Sequence, residues 1–240
     1  MLEIVQEFID ESRQAPDQAN LEVLFESAVG QLGFDGFAAW TISDPNSPPA
    51  DAVWVSRYPR EWADYYIDQT LFNVDPTVHM ATVSNVPFRW SDLVKSNGLS
   101  RAQRDFLLEA ADAGMGIGVS VPIHMHAAAP GTVGVSGPLD DMRPEAMHSV
   151  HLMSVYLYEA ARRFSIEASG GRLSQPTLTA RECECLKWAA IGKTDWEIGE
   201  ILGISQSTAH FHIEKAKKKF GVSTRTQAVV QAVVTNQIIP

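Results

Sequence analysis

LTARECECLKWAAIGKTDWEIGEILGISQSTAHFHIEKAKKKFGVSTRTQA, residues 178–228, carries its helix boundaries in its own side chains. Thr179 with Glu182 three residues on predicts a capping box, in which the Thr oxygen and the Glu carboxylate each satisfy an otherwise orphaned amide. Thr194 with Glu197 repeats the device, Gly203 stops that second helix, and Ser205 is placed to cap a third. The third helix, Gln206–Phe220, has Ala209, Ile213, Ala216 and Phe220 at the spacing of a buried stripe; it turns Ser207, Thr208, His210, Glu214 and its lysines outward. A short helix, a tight glycine turn and a polar second helix make a helix-turn-helix, whose second helix enters a major groove. A last helix over 224–237 has an apolar stripe, Ala228, Val229, Ala232 and Val233, suited to pairing two such domains.

These residues resemble the DNA-binding domain of LuxR-type regulators. The match runs through Glu182, Leu186, Gly192-Lys193-Thr194, Glu197-Ile198, Leu202-Gly203-Ile204-Ser205 and Thr208, and on to His212, Lys219 and Arg225. Ala209 departs from it, standing where the family usually has Val. On the recognition helix, Ser207, Thr208 and His210 are the base-edge candidates. Lys215, Lys218 and Lys219 share a face suited to phosphates, and Lys193 and Arg225 add backbone contacts. Cations also favour a helix C-terminus for the dipole alone, and Glu214 must accept from a cytosine or turn away.

Charge divides the chain. Residues 173–240 carry eight Lys/Arg and six Asp/Glu, net +2, whereas residues 1–172 carry eleven and twenty-three, net −12. Phosphate repels the first region, leaving contact to the second, and so small a positive charge implies that DNA is bound by a dimer. No apolar run is long enough to span a membrane and the N-terminus is acidic and amphipathic, so a cytoplasmic protein is expected. Cys183 and Cys185, two apart on a helix, point to different faces and read as reduced structural thiols. The pairs His124/His126, His148/His151 and His210/His212 lack clustered partners at metal-ligand spacing, so no metal or other cofactor is expected.

Upstream, helices are expected over 2–13, 17–32, 59–69, 100–113 and 144–167, with a short one opening at Asp75-Pro76. Strands are expected over 37–42, 52–57, 117–125 and 131–137, the first two joined by the turn-rich 44–49. The fold class is therefore α+β: an N-terminal α/β/α sandwich around an antiparallel sheet, followed by a four-helix helix-turn-helix domain. The breaker-rich 169–176 divides a domain over 1–168 from one over 177–240.

Residues 58–92 carry a second resemblance, to the autoinducer-binding domain of the same family. It rests on Tyr58-Pro59-Arg60-Glu61-Trp62, Tyr66, Asp75-Pro76 and Pro87-Phe88-Arg89-Trp90-Ser91-Asp92, with Gly118-Val119-Ser120-Val121-Pro122-Ile123 downstream. Family ligands are N-acyl-homoserine lactones, each with one amide N–H, one amide carbonyl and one lactone carbonyl on an apolar body. The resemblance assigns Asp75 to the amide N–H, Trp62 to the lactone carbonyl, and Tyr58 and Ser120 to the amide carbonyl. It makes Tyr66 and Trp90 walls for the acyl chain and the lactone. The donor and acceptor types agree with those roles.

Ala38, Trp40 and Ile42 share one face of the first strand, and Ala52, Trp54 and Ser56 one face of the second. With those faces inward, two indoles fill space that a long acyl chain needs, which predicts a short, branched or aromatic acyl group. Leu71, where many relatives carry an aromatic residue, leaves a little room elsewhere. The resemblance further implies a homodimer on a palindromic promoter element, with RNA polymerase as a partner. A response regulator sharing the DNA-binding domain would need a parallel doubly wound domain, which the turn-rich antiparallel pattern opposes. A LuxR-type regulator of some other small molecule is the second reading. An enzyme is disfavoured: no nucleophile–base pair or phosphate loop is visible.

Overall fold

A computed structural model describes residues 1–44, 47–95, 98–125, 128–137, 144–170, 176–235 and 237–239. The chain forms two compact units, the first ending and the second beginning between residues 170 and 176. Residues 45–46 of the expected turn, His126, and 171–175 of the expected linker lie outside the described residues.

In the first unit, α1 (Leu2–Gln14) and α2 (Gln18–Gln31) precede β1 (Gly36–Thr41) and β2 (Trp54–Ser56). There follow α3 (Arg60–Asp68), a 3-10 turn (Leu71–Asn73), α4 (Pro76–Val83), β3 (Phe88–Arg89) and α5 (Trp90–Val94). The unit closes with α6 (Arg101–Asp112), β4 (Gly118–Ile123), β5 (Gly131–Ser136) and α7 (Pro144–Ala168). The strands pair antiparallel throughout in the order β2-β1-β5-β4-β3. Local chemistry sets the starts: Asp17 caps α2, Asp75 caps α4 with Pro76 at its first position, and Ser100 with Gln103 forms a capping box on α6.

Every residue of β4 and β5 is buried, as helices on both faces require. On one face α1, α2 and α7 pack together, with Phe8 against Phe25 and Phe25 against Phe37 at 5.4 and 4.7 Å between ring centroids. Burying each such ring contributes roughly 1.5–3 kcal/mol. Gly131 admits Tyr158 of α7 on this face, where a Cβ would lie 2.3 Å from the Tyr158 hydroxyl. The alternate residues, Gly118, Ser120 and Gly134, face the opposite way, toward α4 and α5. The stretch around residues 88–94 becomes β3 and α5, elements too short for a periodicity to announce.

The second unit contains α8 (Ala180–Ala190), α9 (Asp195–Leu202), α10 (Gln206–Phe220) and α11 (Arg225–Val234). Capping boxes form at Thr179/Glu182, Thr194/Glu197 and Thr224/Gln227, and Ser205 caps α10. Gly203 ends α9 at φ 66°, a left-handed conformation that suits glycine. A Cβ on Gly199 would sit 2.7 Å from the Ile204 carbonyl, so this glycine lets the turn close against α9.

The apolar stripe of the last helix serves a different purpose from the one expected. Ala228 and Ala232 are fully buried with Leu186, Ala216 and Ile238, and Val229 and Val233 pack against that cluster. The stripe is thus consumed inside its own unit, and the exposed apolar residues of α11 are Val230 and Val234. The helix also ends at Val234, short of 237. Phe220 is half-buried rather than buried. Both cysteines are free; burial pushes the Cys185 thiol up to about 11, leaving it inert.

Candidate functional site

A cavity of about 70 Å³ lies on the face of the sheet opposite α7. Its floor comes from β1 and β4 (Ala38, Trp40, Ser120) and its sides from β2 (Trp54, Ser56) and Tyr58. Trp62 and Tyr66 of α3 cover it, Asp75 and Thr77 lie at the start of α4, and Trp90, Phe106, Ala110 and Met115 close it. All nine expected ligand residues therefore line one space. Trp40, Trp62, Tyr66 and Phe106 form an aromatic cage: Trp62 to Tyr66 is 6.3 Å, Tyr66 to Phe106 6.1 Å and Trp40 to Tyr66 6.5 Å.

Trp54 faces Trp40 in register but is 53% exposed, so it stands at the rim and fills less of the interior than expected. Leu71 is not a cavity wall; it packs behind the cage against the cluster of Trp90, Phe106, Ala110 and Met115. Its size consequently does not set the room inside.

The polar groups are few and pointed. Asp75 accepts the Thr77 amide at 2.7 Å and the Tyr66 hydroxyl at 2.9 Å. Burial raises its pKa, and those hydrogen bonds oppose the rise. The Thr77 hydroxyl and the Val78 amide also bear on the carboxylate, so a further donor would share its lone pairs with them. The Trp90 indole donates to Ser120 Oγ at 2.9 Å, leaving the Ser120 proton free to be given away. The Tyr58 hydroxyl is buried and, among the described residues, has no hydrogen-bond partner. Burial first, and the Asp75 charge second, hold the Tyr58 and Tyr66 phenols protonated far above their ordinary range. The cavity thus presents one carboxyl acceptor beside several neutral donors, inside an apolar and aromatic shell.

Two seats for these side chains were not anticipated. A Cβ on Gly134 would lie 2.7 Å from the Tyr58 hydroxyl, and one on Gly118 2.6 Å from the Trp90 ring. Glycine inside a strand is the available signal for such close approach. Phe106 and Ala110 on α6, and Met115 just beyond its end, were missed too, since they read as ordinary core.

On the second unit, α10 buries Ala209, Ile213 and Ala216 and leaves Ser207, His210, Phe211, Glu214, Lys215 and Lys218 exposed. Several expected DNA residues already have internal partners. Lys219 binds Glu182 at 2.6 Å and the Thr177 carbonyl at 2.9 Å. Arg225 reaches Asp195 at 3.1 Å and the Lys193 carbonyl at 2.8 Å, while Lys193 pairs with Glu197 at 3.0 Å. His210 bonds Asp195 at 2.8 Å, and Ser207 and Thr208 both reach the Ser205 hydroxyl. Glu214 resolves its awkward position by pairing with Lys217 at 2.6 Å. Lys215 and Lys218 supply cationic side chains to the exposed face.

Among the described residues no cluster of His, Cys, Asp or Glu could hold a metal ion, and no helix is long and apolar enough to cross a membrane. Comparison with known proteins matches residues 17–161 to the autoinducer binding domain and residues 176–232 to the luxR family of bacterial regulatory proteins. The transcriptional activator protein BjaR1 of Bradyrhizobium diazoefficiens is 33% identical over 92% of this chain and 89% of its own length. The quorum sensing-dependent transcriptional regulator RpaR of Rhodopseudomonas palustris is 30% identical over 97% of this chain and 93% of its own. A crystal structure of Escherichia coli SdiA shares the fold, with a TM-score of 0.72 at 21% identity over 98% of both chains.

Proposed function

The chain belongs to the LuxR family of autoinducer-binding transcriptional regulators, which are not enzymes, and from that premise we propose that it is a homodimeric quorum-sensing regulator whose cavity takes an N-acyl-homoserine lactone. The Tyr58 hydroxyl carries this reading. A buried donor without a partner costs about 1–3 kcal/mol, and an amide carbonyl is the acceptor that relieves it. Asp75 takes the amide N–H, the Trp62 indole the lactone carbonyl, and Ser120 supports the amide carbonyl beside Tyr58. Trp90 and Tyr66 wall the ligand.

The acyl group is short, branched or aromatic. The aromatic cage supports this, since the free space is smaller than the roughly 150 Å³ cavity that takes a benzene. A lactone is therefore admitted by displacement of rim side chains such as Trp54, and each further methylene needs more displacement. Bound ligand stabilises the first unit by about 2.7 kcal/mol at a hundredfold excess over Kd. The folded, liganded dimer then sets two α10 helices on the half-sites of a palindromic promoter element, one turn of DNA apart, in reach of RNA polymerase.

The test is the thermal midpoint of purified protein against a panel of straight-chain, branched and aroyl homoserine lactones. A rise of about 5–10 °C with a short or aromatic member is expected. Best binding by a straight chain of ten or more carbons would overturn the size assignment; no shift with any member would transfer the cavity to a different small molecule.

A further inference from the structure

The exposed face of α10 contains an apolar group that neither capping nor packing explains. Phe211 is 54% exposed, whereas Ala209 and Ala216 on the opposite side are fully buried and Ile213 nearly so. It lies one turn after Ser207 and one turn before Lys215, in the N-terminal half of the helix that a helix-turn-helix inserts into the major groove. The Lys215 ammonium sits over its ring, 5.4 Å from the centroid, and Lys218 continues the same face. Its neighbours on that surface are engaged otherwise: His210 is held by Asp195 and Glu214 by Lys217. Solvent on an aromatic ring is unfavourable, and the flanking ammonium groups select a polyanion as what covers it.

We propose that Phe211 is a specificity-determining residue that reads thymine through its C5-methyl group. In the major groove an apolar side chain has one apolar feature to recognise on a base edge, and that is the thymine methyl. Lys215, stacked on the ring, is then positioned for a phosphate beside the contacted base. The inference rests on the DNA-binding reading of this unit and adds to it a base and a functional group.

The experiment uses the full-length protein with whichever member of the homoserine lactone panel raises its thermal midpoint most, or without lactone if none does. A preferred site is first selected from a random duplex pool by the wild type and by Phe211→Ala. Each thymine of the wild-type site is then replaced singly by deoxyuracil, which removes only the methyl group. At one thymine per half-site, the wild type is expected to lose roughly fourfold in affinity. Phe211→Ala should bind both duplexes equally and select no thymine at that position. Its circular dichroism and thermal midpoint should match the wild type, and its remaining duplex binding should still weaken with salt, which shows that the helix still folds and still meets phosphate. Equal affinity of the wild type for every deoxyuracil duplex would overturn the proposal while leaving DNA binding intact. Absence of any selected site or duplex binding would overturn the DNA-binding reading itself, and the proposal with it.

Discussion

The two units treat their polar groups in opposite ways. In the second, polar groups are closed off by the chain itself: three capping boxes, the Glu182–Lys219 pair, and Asp195 shared between Arg225 and His210. In the first, three buried oxygens have no partner among the described residues, those of Tyr58, Thr132 and Ser154. A unit that satisfies itself is complete when folded. One that leaves a donor such as the Tyr58 hydroxyl unpaired in a cavity gains from whatever brings the missing acceptor, which ties its stability to a ligand.

The largest expected effect tests the closed part of the open unit. Asp75→Ala removes the acceptor of both the Thr77 amide and the Tyr66 hydroxyl, and each group left unpaired costs about 1–3 kcal/mol. We expect the midpoint of the first unit to fall by roughly 5–15 °C, with no lactone restoring it. A variant that melts like the wild type and still responds to ligand would show that Asp75 holds nothing together.

Next comes the self-sufficient unit. Glu182 is 5% exposed at its side chain; it closes the α8 capping box and receives Lys219. Burial alone would raise its pKa, yet the hydrogen bonds from Lys219 and Thr179 hold it below the ordinary range. The folded pKa is lowered, so the stabilisation is present at neutral pH and disappears as pH falls through that lowered value. Glu182→Ala should destabilise the second unit by about 2 kcal/mol, read by hydrogen exchange along α8, and leave the lactone-induced shift of the first unit unchanged. Loss of that shift would break the comparison, because the units would then not be independent in stability.

Asp75 titrates with the opposite sign. Its folded pKa is raised, chiefly by burial, so the ligand-free first unit loses stability as pH climbs from about 3.9 through the folded value. An amide N–H donated to the carboxylate lowers that pKa again, so lactone binding should release a proton. Affinity is then expected to rise with pH across that window, by at most about tenfold per unit, and to become flat in Asp75→Asn. Titration calorimetry in buffers of different ionisation enthalpy detects the proton; a wild type that releases none would place the amide elsewhere.

The asymmetry between the units also explains what could be read before the fold was known. Capping is local chemistry: Thr179 and Glu182, or Thr194 and Glu197, lie three residues apart and declare a helix start wherever they occur. The second unit is a chain of such signals, and its helix starts were legible nearly to the residue, although the last helix ends at Val234, short of 237. Fine placement there was not, because whether Val229 faces a neighbouring helix or a second copy depends on the angle at which α11 docks. In the first unit, the aromatic and acidic residues of 58–92 pointed to a cavity, but Phe106, Met115 and the seats at Gly118 and Gly134 reach it from distant strands and helices. Their contribution is tertiary, and a fully exposed or fully buried face of a short strand gives no period to find.

The smallest effect is the most discriminating, because its sign differs between the free and the bound protein. Tyr58→Phe deletes a hydroxyl that has no partner and keeps the ring in its place over Gly36 and Gly134. Replacing an unsatisfied buried polar group by an apolar one of the same shape is nearly neutral or stabilising. The ligand-free midpoint should therefore stay constant or rise slightly, by up to about 1 kcal/mol. The lactone-induced shift should shrink by about the same amount, since the amide carbonyl has lost a donor. Both quantities come from one pair of melting curves. If the free protein is instead destabilised by 1 kcal/mol or more, the hydroxyl already has a partner in the unliganded fold, an ordered water being the simplest. The distinction between a self-satisfied unit and one that waits for its ligand would then fail at the cavity.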